Sequence, residues 1–420
     1  MANMKRDKIE RLLEKGVRIP NPETVFIADD VDLNRIHGDG VVIHNGCRLK
    51  GASTLVCKGA VLGEEGPATI DSCQVGPGVR LKGGYFNRAV FLKNAAMGSG
   101  AHVREGTILE EEASGAHTVG FKQTILFPYV AVGSLINFCD CLMAGGTGKK
   151  NHSEVGSAYI HFNFTPNQDK ATASMMGDVP NGVMLDQHPI FLGGQGGLVG
   201  PTRLAYGTVI AAGCIYRKDE LRPDRLLASG EGRPVNIPHT SGIYRSVKRV
   251  VKNNIIFIAN LMALKQWYAH VRPEFVSDDF PETLLTGLQE KVEMAISERI
   301  ERMGDLSEKL LVSAGNYRKQ MQEKASETLL LHKQELHEKW PEVRQTMLSG
   351  AGEKEVEKSR NFFLEVLQRK VRTSGKDYLS VIKGLDRSHR DQGALWLQEF
   401  VDTFCRKTFE LLPSYGFIKS

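Results

Sequence analysis

The chain has too few cysteines for a disulfide framework. There are seven in 420 residues, irregularly spaced, with Cys139 and Cys141 two apart, and an odd count of this kind suits reduced thiols. No pair has zinc-ligand spacing, so no metal is expected. No apolar run approaches the roughly 18 residues that a membrane span needs. The first residues, Met1 to Glu14, set Ile9, Leu12 and Leu13 among charges. They show neither an apolar core nor a small-residue cleavage site, which predicts a leading helix in a cytoplasmic protein. A net charge of +5 is small for this length and does not imply a nucleic-acid partner. With 41% hydrophobic and 25% charged residues, the composition is that of a folded protein of two or three domains.

Glycine, by contrast, is abundant: there are 43, most of them before about residue 245. In the same region aliphatic residues recur every six positions, as in Ile43, Leu49, Leu55 and Val61, then Met97, Val103 and Leu109, then Leu192, Leu198, Leu204 and Ile210. Neither the helical period nor strand alternation gives six. A six-residue unit makes a short strand and a turn, and three units close a triangular coil whose inward aliphatics stack in columns. The pairs Val75-Gly76, Met97-Gly98, Val155-Gly156 and Leu192-Gly193 place glycine where corners need unusual backbone angles. An antiparallel β-sandwich would show period two and hairpin turns instead.

The expected fold is therefore a β-solenoid plus α: a left-handed parallel β-helix of hexapeptide repeats followed by an α-helical C-terminal domain. Residues 1–23 form an N-terminal helix and linker, 24–235 the β-helix and 236–420 the helical domain, with Pro223, Pro234 and Pro238 in the transition. Leu285, Leu288, Val292, Ala295, Ile296, Arg299, Met303, Leu306 and Leu310 recur at three or four, the stripe of an amphipathic helix. Further helices are expected from about Tyr317 to Trp340, Glu353 to Arg372 and Gln392 to Leu412, separated by Pro341, Gly350, Gly352 and Gly375.

Three stretches, "LLEKGVRIPNPETVFIADDVDL" (Leu12 to Leu33), "EVGSAYIHFNF" (Glu154 to Phe164) and "LGGQGGLVGPTRLAYGTVIAAG" (Leu192 to Gly213), carry a resemblance. They resemble the linker and acetyltransferase half of the bifunctional N-acetylglucosamine-1-phosphate uridyltransferase and glucosamine-1-phosphate acetyltransferase family, over roughly residues 10 to 235. That family's glycine-rich uridyltransferase loop has no counterpart here, so uridyltransferase activity is not expected. The resemblance implies a homotrimer, an acetyl-CoA or other acyl-CoA donor, and a sugar phosphate or nucleotide sugar as ligand.

Residue by residue, Arg104 in "AHVREG" matches a phosphate-binding arginine, Lys122 in "VGFK" its companion lysine, and Asn163 an asparagine that contacts the amino sugar. Lys170 falls one residue from the family's lysine. Ala212 matches an alanine whose backbone meets the CoA arm, and Gly194 replaces a serine of that site. Phe164 and Met143 stand where the family has tyrosines. Asp140 stands in place of the histidine that serves as the base, and an aspartate, ordinarily near a pKa of 3.9, needs burial to act near neutrality. His152 and His161 lie nearby in sequence and are alternative bases.

Other patterns compete. "AGGTGKK" (Ala144 to Lys150) has the glycines and lysine of a phosphate cradle but lacks a Walker motif's first glycine and its Ser or Thr, so a coil corner is the simpler reading. His102, His117, His152 and His161 invite comparison with β-helical carbonic anhydrases, whose close histidine pair is absent. The segment Pro180 to Pro189 interrupts a rung and carries Asp186 and His188, as a binding loop or as a trimer-contact or surface loop. Two functions from different classes follow: a sugar-phosphate acyltransferase using Asp140 or His152, and a noncatalytic sugar-nucleotide binder or scaffold that has lost its base.

Overall fold

The computed structural model describes all residues except Met1, 164–167, 229–239, 351, 353, 419 and 420, with no account of the side chains of residues 2–6. Phe164, Pro234, Pro238 and the expected boundary at 235/236 thus lie outside the described residues. Helix α1 (Ala2–Glu14) leads into a parallel β-solenoid whose strands run from Phe26–Ile27 to Leu226–Leu227. The expected β-helix and the helical region behind it are both present.

The solenoid has three faces. Face one is a 10-stranded parallel sheet running from Val42–Ile43 to Leu226–Leu227. Face two includes Arg48–Lys50, Ala68–Asp71, Gly84–Asn87 and Ala101–Val103; face three includes Gln74–Val75, Ala89–Phe91 and Thr107–Leu109. Two longer strands, Gly120–Leu126 and Asn137–Met143, cross from face two to face three, bending at Gln123 (φ 49°) and Asp140 (φ 60°). The six-residue columns hold: Leu192 stacks on Ile210, and Leu198 and Leu204 lie inward on the other two faces. In the first coils the phase slips by one residue. Val56 and Leu62 point inward, and Val61 is left half-exposed.

Among the described residues, six helices follow the solenoid: α3 (Lys248–His270), α4 (Glu282–Met321), α5 (Glu327–Leu348), α6 (Glu357–Ser374), α7 (Tyr378–Lys383) and α8 (Arg387–Glu410). A short α2 (Val179–Gly182) lies between solenoid strands. The expected helix from Tyr317 to Trp340 is instead the end of α4 and the start of α5. The chain breaks at Gln322, whose φ is 48°, and restarts at Ser326, whose hydroxyl accepts from Leu329 N–H. Pro341, expected as a separator, lies inside α5, where it forfeits one backbone bond without ending the helix.

Face three is where the two regions meet. Its inward column, Val75, Phe91, Leu109, Leu126, Met143 and Met176, fills the solenoid. The adjacent outward residues Val90, Ile108, Ile125, Leu142 and Met175 are also apolar and no more than 3% exposed, because α3 and α4 cover them. Burying each of these side chains contributes about 1.5–3 kcal/mol. Polar pegs fix the register of α3: Asn254 Nδ2 donates to Ala171 O at 2.9 Å, and Val179 N–H donates to Asn260 Oδ1 at 2.9 Å. Among the described residues, no helix is long and apolar enough to cross a membrane.

Candidate functional site

The edge between faces two and three carries a ladder of polar side chains. Val103 pairs with Phe121, so Arg104 and Lys122 stack one coil apart, about 4.8 Å. Lys122 pairs in turn with Cys139, and Asp140 follows at the bend. A left-handed φ disfavours β-branched residues and is tolerated by Asp, and the equivalent corners of preceding coils carry Arg88 and Gln123, also at positive φ. Asn137 pairs with Ile160, which brings Asn163 over Asp140 in the next coil.

Helix α4 closes this edge. Arg299 Nη2 meets Asp140 Oδ1 at 2.7 Å, with side chains 2% and 7% exposed, and Arg299 Nη1 donates to Lys170 O at 3.2 Å. Asn163 Nδ2 donates to Asp140 Oδ2 at 3.3 Å, and Thr172 Oγ1 donates to Asn163 Oδ1 at 2.9 Å. Both oxygens of Asp140 therefore already accept hydrogen bonds from the chain. Burial pushes its pKa up, against the opposing pull of Arg299. A carboxylate in this position is a structural anion until Arg299 moves away.

Beside the clamp, Lys122 and Glu105 pair at 2.9 Å, their side chains 28% and 31% exposed. Burial raises the Glu105 carboxyl, but the Lys122 ammonium outweighs it and holds the group below its usual range. Arg104 Nη2 lies 3.6 Å from Cys139 Sγ, a weak contact that leaves much of the guanidinium's donor capacity unused among the described residues. Arg302 Nη2 and Glu298 Oε1 pair at 2.9 Å on α4. The edge thus carries partly exposed cations, of which Lys122 and Arg302 are paired with carboxylates of the chain, an arrangement able to exchange internal anions for a phosphate.

The other expected residues fall elsewhere. His161 points into the solenoid, where its Nε2 meets Ser174 Oγ at 2.7 Å; burial pushes its pKa down to about 4, so it is a neutral core histidine. His152 sits on the edge between faces three and one, in the hairpin formed by Gly146–Gly148 and Asn151–His152, its Nδ1 2.8 Å from Lys149 O. The structure does not bring it to Asp140 within one chain. Lys170 is exposed and contributes its carbonyl to Arg299. Gly194 and Ala212 share the third edge, between faces one and two, with Gly213 N–H donating to Gly194 O at 2.9 Å. A Cβ on Gly194 would lie 2.7 Å from Ser157 O, so the coils there stack backbone to backbone.

The competing motifs also find places. "AGGTGKK" is that small hairpin, with Lys149 paired to Glu112 at 2.9 Å. His102 stacks against Tyr85 on face two, and His117 meets Ser134 Oγ at 2.8 Å on the Gly194 edge, far from any common centre with His161 inside. Among the described residues, no group of three or more His, Cys, Asp or Glu could hold a metal. The segment from Pro180 to Pro189 includes the end of α2 and packs Val183, Met184 and Leu185 inward, while Asp186 Oδ2 meets Arg390 Nε of α8 at 3.0 Å. It is a contact loop for the helical region. His188 pairs with Asp224 at the surface, 2.7 Å away.

The residue that sequence reasoning missed at this site is Arg299. Its position in the apolar stripe of α4 was the available signal, since a cation on a buried face requires a buried anion.

No family model matches the chain. Among curated proteins, it is 28% identical over 229 residues to the bifunctional protein GlmU of Thermotoga petrophila, covering 54% of this chain and 45% of that protein. The bifunctional protein GlmU of Koribacter versatilis is 29% identical over 236 residues (56% and 44%), and that of Nitratidesulfovibrio vulgaris 26% over 227 (54% and 44%). The chain spans about half the length of the curated relatives it matches. Over about half of its own length, then, this β-solenoid protein is similar to the bifunctional GlmU proteins, consistent with their acetyltransferase-like half.

Proposed function

We propose that the chain is an acyltransferase-like hexapeptide-repeat protein of the cytoplasm that binds a sugar phosphate or nucleotide sugar at the Asp140 edge. The observation that carries this reading is the stacking of Arg104 and Lys122 one coil apart, partly exposed, beside the buried Asn163–Asp140–Arg299 network. A guanidinium fork and an ammonium at that spacing suit the oxygens of a phosphate, and Asn163 and Lys170 would contact the sugar. An acyl-CoA donor would lie along the Gly194 and Ala212 edge, where closely stacked glycine backbone admits an extended arm. Because that edge and the Asp140 edge are separate in one chain, transfer between them requires neighbouring solenoids, and a homotrimer supplies them.

In the catalytic form of this reading, a base takes a proton from the attacking amine or hydroxyl at the thioester carbonyl, and backbone N–H groups stabilise the oxyanion. Asp140 fills that role once Arg299 withdraws, or His152 fills it from a neighbouring solenoid. A second reading, a noncatalytic sugar-nucleotide sensor or scaffold, is favoured by the Arg299 clamp, which uses both oxygens of the candidate base.

Calorimetric titration of the full chain with glucosamine 1-phosphate, UDP-N-acetylglucosamine and acetyl-CoA tests these readings. Sugar-ligand binding that Arg104→Ala abolishes supports the site. Acetyl-CoA binding with CoA release on adding the sugar selects transfer, and sugar binding without CoA selects the sensor. Silence from all three, or binding indifferent to Arg104→Ala, would remove the proposal.

A further inference from the structure

A second cluster lies on the edge between faces three and one, remote from Arg104. Gly78 N–H donates to Lys58 O, Asn94 N–H to Pro77 O and Glu112 N–H to Lys93 O, so Lys58, Pro77, Lys93 and Glu111 form one column along successive coils. Lys58 and Lys93 are two coils apart, about 10 Å at their backbones, yet their ammonium groups converge on one carboxylate, and Lys93 also lies 3.5 Å from Asp377 Oδ2. That carboxylate is Asp279, carried by the turn from Ser277 to Phe280 that precedes α4. Its Oδ1 is 2.5 Å from Lys58 Nζ and its Oδ2 3.0 Å from Lys93 Nζ.

Beneath the two lysines is a cavity of about 450 Å³, walled by Phe275, Phe280 and Tyr378 and reached by Glu111. Glu111 is only 5% exposed. Its Oε1 accepts from Arg272 Nη2 at 2.5 Å, while Oε2 is buried with no hydrogen-bond partner among the described residues. A buried carboxylate oxygen without a donor is costly, and Glu111 is one of the residues lining a cavity large enough for a small metabolite. Arg272, stacked 3.9 Å from the centre of the Tyr378 ring, fixes both the ring and Glu111 in place.

We infer that this cavity is a second ligand site, for a small molecule with an N–H or O–H donor at one end and a phosphate or carboxylate at the other. The donor meets the Glu111 carboxylate once Oε2 turns toward the cavity, the middle lies against Phe280 and Tyr378, and the anionic end takes the place of Asp279 between Lys58 and Lys93. Asp279 is thus a competitor supplied by the chain itself. The two lysine side chains are 39% and 38% exposed, so an incoming anion reaches them from solvent.

The full chain titrated with 3-aminopropyl phosphate tests this, with propyl phosphate lacking the donor and 3-aminopropanol lacking the anion. The expected result is saturable binding of the first, at least tenfold weaker binding of each truncated probe, and loss of binding in Lys58→Ala/Lys93→Ala. Asp279→Asn removes the internal competitor and should tighten binding several-fold, whereas a purely structural clasp predicts no gain. Arg104→Ala should leave this binding unchanged, which separates the site from the Asp140 edge. Absence of saturable binding even to Asp279→Asn, or binding that survives the double lysine substitution in a protein with an unaltered melting curve, would overturn the inference.

Discussion

Removing Arg299 should be among the most damaging single changes available in this protein. The Arg299 side chain is 2% exposed, pairs with Asp140, itself 7% exposed, at 2.7 Å, and holds the carbonyl of Lys170 at 3.2 Å. Arg299→Ala leaves the Asp140 carboxylate buried with only Asn163 as a donor, so the cost is about 3–5 kcal/mol, most of it the penalty of an uncompensated buried charge rather than the worth of the pair. The partner change, Asp140→Asn, leaves the buried guanidinium with only Glu298 Oε1 at 3.6 Å as a carboxylate and should cost less. The double variant Asp140→Asn/Arg299→Met has no stranded charge and should recover a large part of the loss, giving a coupling energy of about 2 kcal/mol or more. Urea unfolding of the four proteins, read by far-ultraviolet circular dichroism and checked for equal slopes, yields that number. If Arg299→Ala costs under about 1 kcal/mol, or the two single changes add within about 0.5 kcal/mol, the contact is an exposed or broken one and the clamp argument fails.

Ile125, on the outward side of face three and 1% exposed, should cost about 2–5 kcal/mol on change to Ala, whereas Tyr85→Ala on open face two, 36% exposed, should cost little; parallel denaturation curves compare them. Glu110, buried beside Tyr268, has its pKa raised to about 7 by burial, so the folded state holds a proton that the unfolded state releases near 4.5. Stability from this group is present at low pH and is lost as pH rises from about 4.5 through 7, by at most about 3 kcal/mol; Glu110→Gln should flatten that fall. His161 acts in the opposite sense: its pKa of about 4 makes the unfolded state the better proton binder, so its contribution is complete above about 6.5 and fades as pH falls toward 4. Between about 4.5 and 6.5 the two slopes oppose, and Glu110→Gln should uncover a stability that rises with pH there; an unchanged profile would contradict both assignments.

The solenoid was legible because its period is unlike any other: six-residue columns such as Leu192, Leu198, Leu204 and Ile210 fit a triangular coil and little else. The helical cover was harder to read. Helix α3 is buried nearly all round, so the run from Val251 to Leu264 shows no polar face and no stripe. The docking face was written in doubled apolar residues, "AVF", "TIL", "CLM" and "SMM", which break the in-out alternation because both sides of face three are covered. At the candidate site, Arg104, Lys122, Asn163 and Asp140 were legible only through the resemblance, and the register of the coils then sets them along one edge. Arg299 could not be matched to Asp140, because the pairing joins residues more than 150 positions apart and no local rule of spacing connects them. The same limit hides Asp279 and Lys58, which meet only when the helices fold back on the solenoid.

The most direct test of the proposed ligand edge is hydrogen–deuterium exchange of the full chain with and without saturating glucosamine 1-phosphate. The account predicts added protection confined to the backbone around Arg104, Lys122, Asp140 and Asn163 and the facing turn of α4 near Arg299, and its loss in Arg104→Ala. Protection confined to the Gly194 and Ala212 edge, or none at a concentration that saturates a calorimetric signal, would contradict it.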